Sequence, residues 1–156
     1  MSDVPFRALL LIAVSGCSPM RLNDDLTAAG RADTRIWALR DFNDRAVPRT
    51  RPEAATIQLA PDHTVRGTSA CNHVGGEEIL WQGDAREGEG TFRRNVAGVT
   101  ITTTMGCADR SSMSLGNRFW EGMVHATTWL IGEKTLTIRF DDGSIARLEP
   151  TSSPRQ

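Results

Sequence analysis

The chain contains only three cysteines, no Cys-x-x-Cys pair and a single lysine, Lys134. Lacking paired cysteines at ligand spacing, it offers none of the common structural zinc scaffolds. The other basic side chains are arginines, scattered rather than clustered, and the net charge is −1. No nucleic-acid partner is therefore expected. No apolar run reaches the about 20 residues that a membrane-spanning helix needs. There is no internal repeat and no catalytic constellation. Asn23-Asp24-Asp25 and Asp141-Asp142-Gly143 look like calcium loops but lack the further oxygen ligands, and read as turns. What remains is a hydrophobic content of 39% in 156 residues, enough for the core of one domain.

The first 17 residues read as a secretion signal. Arg7 ends a polar start, Ala8 to Val14 is apolar, and Ser15-Gly16 precede Cys17. That length suits a signal h-region rather than a span. Val14-Ser15-Gly16-Cys17 resembles the bacterial lipobox, in which cleavage leaves the cysteine first and lipid-modified. Residues 1–16 are then a lipoprotein signal peptide, and Cys17 is the membrane anchor. A plain signal peptide with an incidental cysteine is the alternative. Residues 17–33 are small and polar and read as a flexible tether. Ser18 after the lipidated cysteine, by resemblance to lipoprotein sorting rules, favours the outer membrane. The expected location is the cell envelope, facing the periplasm.

With Cys17 modified, Cys71 and Cys107 remain as a pair in a compartment that oxidises thiols. Each ends a run of small and β-branched residues, as if two strands finished side by side. A bridge between them closes the loop 72–106 and, on the chain-entropy model, stabilises by roughly 3–4 kcal/mol. Two reduced, buried thiols are the alternative. An enzyme reading also exists: Cys71, His73 and Cys107 with His63 or His125 as a zinc site, or a thiol nucleophile with His73 or His125 as base. Cys-x-His lacks the usual two- to four-residue ligand spacing, and a catalytic thiol should be unpaired. The favoured expectation is no catalysis, no metal and no cofactor.

Along the body of the chain, alternation predicts strands at 34–40, 55–59, 63–67, 77–82, 91–93, 99–104, 128–131, 135–140 and 144–148. One segment, about 109–124, has helical periodicity, with Leu115, Phe119 and Met123 on one stripe and Asp109 or a following serine as its cap. The fold class is α+β: a small, strongly twisted antiparallel sheet or partly open β-barrel with one packed helix. Trp37, Ile57, Leu59, Val65, Leu80, Ile101, Phe119, Met123, Leu136 and Ile138 are the expected core. Trp37, Trp81, Trp120 and Trp129 read first as core and rim residues, and alternatively as the lining of a groove for a lipid tail or partner segment. Asn72 is expected to bond its own turn. The domain is bounded at 34–149, with a disordered tail at 150–156.

The order of these parts resembles the META domain of HslJ-like heat-shock lipoproteins. The likeness runs from Trp37 and Leu39 through Val65-Arg66-Gly67-Thr68-Ser69-Ala70-Cys71-Asn72 and Thr103-Thr104-Met105-Gly106-Cys107, to Phe119 and Met123 on the helix and the closing Leu136-Thr137-Ile138. Two positions depart: Thr104 stands where the family has arginine, and His73-Val74 where it has Arg-Phe. The resemblance implies a small β-rich envelope lipoprotein, linked to stress tolerance or secretion, with no established reaction. The partner it implies is an unidentified envelope protein or lipid.

Overall fold

A computed structural model of the chain describes residues 35–85 and 88–151. The signal peptide, Cys17 and the tether through residue 33 lie outside the described residues. Eleven strands form one antiparallel sheet: β1 (Trp37–Phe42), β2 (Arg45–Ala46), β3 (Ala55–Leu59), β4 (Val65–Ser69), β5 (Asn72–Gly76), β6 (Ile79–Gly83), β7 (Gly88–Arg94), β8 (Thr100–Thr102), β9 (Ala126–Ile131), β10 (Leu136–Phe140) and β11 (Ile145–Pro150). Their spatial order is β6-β7-β9-β10-β11-β1-β3-β4-β5-β8, with β2 beside β1. A bridge between Thr64 and Leu80, and a hydrogen bond from the Trp81 N–H to the His63 carbonyl at 2.8 Å, bring the start of β4 against β6. The sheet from β6 round to β4 thereby becomes a nearly closed barrel. β5 and β8 lie beyond the closure and form a short wing.

The barrel interior is filled rather than hollow. Trp37, Trp81, Trp129, Leu39, Ile57, Leu59, Leu136, Ile138 and Leu148 are all fully buried. Trp81 and Trp129 meet edge to face at 6.2 Å between ring centroids, and the Trp81 indole N–H donates to the Ala60 carbonyl at 2.9 Å. Burying each large apolar side chain stabilises by roughly 1.5–3 kcal/mol before entropy is counted, so these side chains dominate the core.

Helix α1 (Arg110–Gly122) packs against β3 and β4. Asp109 caps it, accepting from the backbone N–H groups of Ser111 and Ser112 and from both hydroxyls. The Ser112 and Ser111 hydroxyls hold its carboxyl down at about 2. Phe119 and Trp120 are buried beneath the helix, and the Trp120 indole donates to the Thr68 carbonyl at 2.8 Å. A 3-10 turn, Met123–His125, then leads into β9.

Eight of the ten expected core residues are buried. Leu80 is only half-buried, because its neighbour Trp81 takes the inward position on β6. Ile101 is 66% exposed, since β8 sits on the wing and not in the barrel. β11 runs past Leu148, so Pro150 pairs with Trp37 as a strand residue rather than starting a tail.

Candidate functional site

The outer face of β3, β4, β5 and β8 carries residues in register across the strands. Gln58 pairs with Arg66 and Gly75 with Ile101, and since Gly67 pairs with Val74, Arg66 lies beside Gly75. Gly75 leaves this row without a side chain at its centre, and a Cβ there would lie 3.4 Å from the Arg66 Cγ. At Gly76 the backbone takes φ 144°, and a Cβ would come within 2.0 Å of the Val99 carbonyl oxygen, so only glycine permits the close β5–β8 approach. A groove of about 850 Å³ results. Ile36 and Gln58 line it from the barrel side, Val99 and Ile101 from the wing, with Thr56 and Thr68 between.

The charged residues that line this groove are Asp62, Arg66 and Glu77. Arg66 pairs with Asp62, and the Thr64 hydroxyl and N–H hold the Asp62 carboxyl below its ordinary range. Glu77 lies nearby, and His73 lines the groove as an exposed side chain on β5. The walls contributed by β5 and β8 come from stretches without a carboxylate or arginine, 67–76 and 95–108, in a chain that is 24% charged. Ile36, Val96, Val99, Ile101 and Met105 are exposed in and around this region.

At the foot of the wing Cys71 and Cys107 form a disulfide, with S–S 2.00 Å and Cα–Cα 5.8 Å. The bridge fastens the turn after β4 to the segment that leads into α1. Asn72 does not bond its own turn: its buried side chain accepts from the Met105 N–H and so pins that same segment. A second hollow, about 510 Å³, borders the bridge and is lined in part by Asn72, Met105, Arg110 and Met113.

The residues proposed for zinc or thiol chemistry are not assembled for it. Both sulfurs are spent in the bridge. His63 stacks on Trp81 at 4.9 Å, and His125 faces Asp141 at 3.0 Å. Among the described residues, no group of three or more His, Cys, Asp or Glu side chains could hold a metal ion. The four tryptophans do not share a groove either; all are buried in the core, Trp120 least so at 8% exposure. The groove that does exist is built from glycine, threonine and β-branched side chains. Sequence reasoning missed it because such residues advertise a strand, not a site. Its one legible signal is the pair of uncharged stretches.

A filled, nearly closed antiparallel barrel with one packed helix, and a wing clipped by a disulfide, define a small α+β domain. The META-domain family model matches residues 30–152, and the chain belongs to that family. No curated protein matches the chain in sequence. Among solved structures, an NMR structure of a protein from Burkholderia xenovorans is similar at 15% identity and TM-score 0.51, covering 97% of this chain and 99% of that one. A crystal structure of a DUF4847 family protein from Bacteroides vulgatus has 16% identity and TM-score 0.44, covering 80% and 94%. Among the described residues, no helix is long and apolar enough to cross a membrane.

Proposed function

We propose that this protein is a non-catalytic binding module of the bacterial cell envelope, anchored by lipid at Cys17 and facing the periplasm from the outer membrane. One observation carries the binding reading: the groove beside Gly75, whose β5 and β8 walls carry no carboxylate or arginine and where Ile36, Val99 and Ile101 are exposed. Monomeric proteins seldom leave apolar side chains grouped on the surface without a use for them. Fully buried Trp37, Trp81 and Trp129 fill the barrel interior, and Cys71 and Cys107 are paired, which favours binding at the surface over thiol chemistry at these two residues. The Val14–Cys17 motif and Ser18 support the anchor and its destination, membership of the META family supports an envelope-associated role, and the likeness to HslJ-like lipoproteins extends that role to stress tolerance or secretion.

Two measurements test this reading. Cys17→Ala should leave a soluble or unprocessed precursor; an acyl-modified mature form that still fractionates with the membrane removes the anchor. A photo-crosslinking residue at position 101 should capture an envelope component in cells, whereas one at position 134, on the β9–β10 turn, should not. Equal yields at the two positions remove the groove from the proposal. Stoichiometric zinc in the purified domain, or two reactive thiols without reductant, would favour the enzyme class instead.

A further inference from the structure

β8 is the open end of the sheet, and among the described residues it pairs only with β5. The Thr103 N–H donates to the His73 carbonyl at 3.0 Å, and the Glu77 N–H to the Val99 carbonyl at 3.1 Å. In an antiparallel pair, donors and acceptors alternate between the two edges of a strand. Residues 99, 101 and 103 therefore spend their backbone groups on β5, and those of Thr100 and Thr102 point away from the sheet. All three β8 residues are also exposed through their side chains.

Such an edge invites pairing, and natural proteins blunt it with lysine, proline, bulges or covering elements. Thr100 to Thr104 is five consecutive β-branched residues with no lysine or proline, and among the described residues no other strand covers β8. The edge is instead left with high β propensity and no charge. We propose that the free edge of β8 is a strand-addition site, taking an extended, uncharged, β-branched-rich peptide segment of another envelope protein. The proposal rests on the binding-module reading above.

Charge complementarity selects this occupant. An added strand would set its side chains beside uncharged Val99, Ile101 and Thr103 on one face and Thr100 and Thr102 on the other, where the Glu78 carboxylate is already held by Arg94 and the Thr100 hydroxyl rather than left to pair with a charge the strand brought. The chain's own segment 18–33 is interrupted by Arg21, Asp24, Asp25, Arg31 and Asp33. A second copy would meet β8 over a strand of 3 residues, far short of the about 1,200–2,000 Å² that a stable interface buries. For a peptide, by contrast, main-chain hydrogen bonds supply affinity and alternate side chains supply selection.

The probe is acetyl-Ser-Thr-Val-Thr-Val-Thr-Ser-amide, titrated into the isotope-labelled mature chain with Cys17 replaced by serine and followed by NMR. Saturable shifts should concentrate at residues 99–104. Glutamate in place of both valines, or methylation of the backbone nitrogens on one edge of the peptide, should weaken binding at least tenfold. Thr102→Pro removes an outward N–H without touching the β5 ladder and should do the same; the methylated peptide tests the point even if that variant folds poorly. Shifts at Ile36, Gln58 and Gly75 that survive both changes would place the ligand on the groove face, overturning strand addition while leaving the binding module standing. No saturable shift, or concentration-dependent self-association in sedimentation, overturns the proposal outright. The crosslink at position 101 then decides the broader reading separately.

Discussion

A methyl group added at Gly116 would sit 2.1 Å from the Ala54 carbonyl oxygen and 2.7 Å from the Ser69 hydroxyl. Glycine in mid-helix ordinarily costs about 1 kcal/mol against alanine, yet here it lets α1 lie directly on the backbone of the sheet. Steric overlap with backbone outweighs the propensity gain, so Gly116→Ala should destabilise, by roughly 1–3 kcal/mol in denaturant unfolding. A stabilised variant would show that the helix can shift outward freely. Asp109 makes a second prediction at this scale. Its folded carboxyl titrates at about 2 against an ordinary 3.8 because the Ser112 and Ser111 hydroxyls bond the charged form. The folded value is depressed, so its stabilising effect is present above about pH 4 and is lost as pH falls through about 2. The difference in melting temperature between wild type and Asp109→Ala should therefore narrow steadily from pH 5 to pH 2. A pH-independent difference would mean that Asp109 acts by shape alone.

At the scale of elements, the disulfide joins two segments that no ladder joins: the turn after β4 and the approach to α1. The Cys71→Ala/Cys107→Ala double variant should unfold at lower denaturant by roughly 2–4 kcal/mol, and the unreduced domain should weigh two hydrogens less than the reduced one. An unchanged midpoint would leave Asn72 and core packing as sufficient fasteners. These elements also show what a sequence can disclose. Helix α1 was legible because Leu115, Phe119 and Met123 recur at four and Asp109 marks the start. The cysteine pairing was legible because Cys71 and Cys107 each end a β-prone run. β5 was not, because Asn72-His73-Val74-Gly75-Gly76 has neither alternation nor propensity, and it is a strand only because β4 and β8 flank it. Residues 99–104 misled in the opposite sense: strong propensity predicted a core strand, and the chain placed it on the rim, where Ile101 faces solvent. Propensity reports the backbone conformation, and burial depends on which sheet position the topology leaves open.

At the scale of the whole molecule, the barrel and the wing should differ in stability. The barrel holds the three fully buried tryptophans and closes on itself through Thr64–Leu80 and the Trp81 N–H. The wing contributes β5 and β8, whose only large buried apolar side chain is Val74, and is held by one ladder, Asn72 and the bridge. Local opening free energy follows buried contact, so the wing belongs at the low end of the molecule's range. Amide hydrogen exchange under native conditions should show residues 73–76 and 99–103 exchanging through sub-global opening, while β1, β10 and β11 exchange only with global unfolding. Reducing the bridge should then accelerate the wing by about tenfold or more and leave β10 and β11 in their original rank. This separation matters for binding, because a wing that opens while the barrel stays closed can admit a strand at β8 without loss of the fold. If reduction instead speeds β10 and β11 as much as β5, barrel and wing are one cooperative unit. Strand addition would then have to use the edge as it stands.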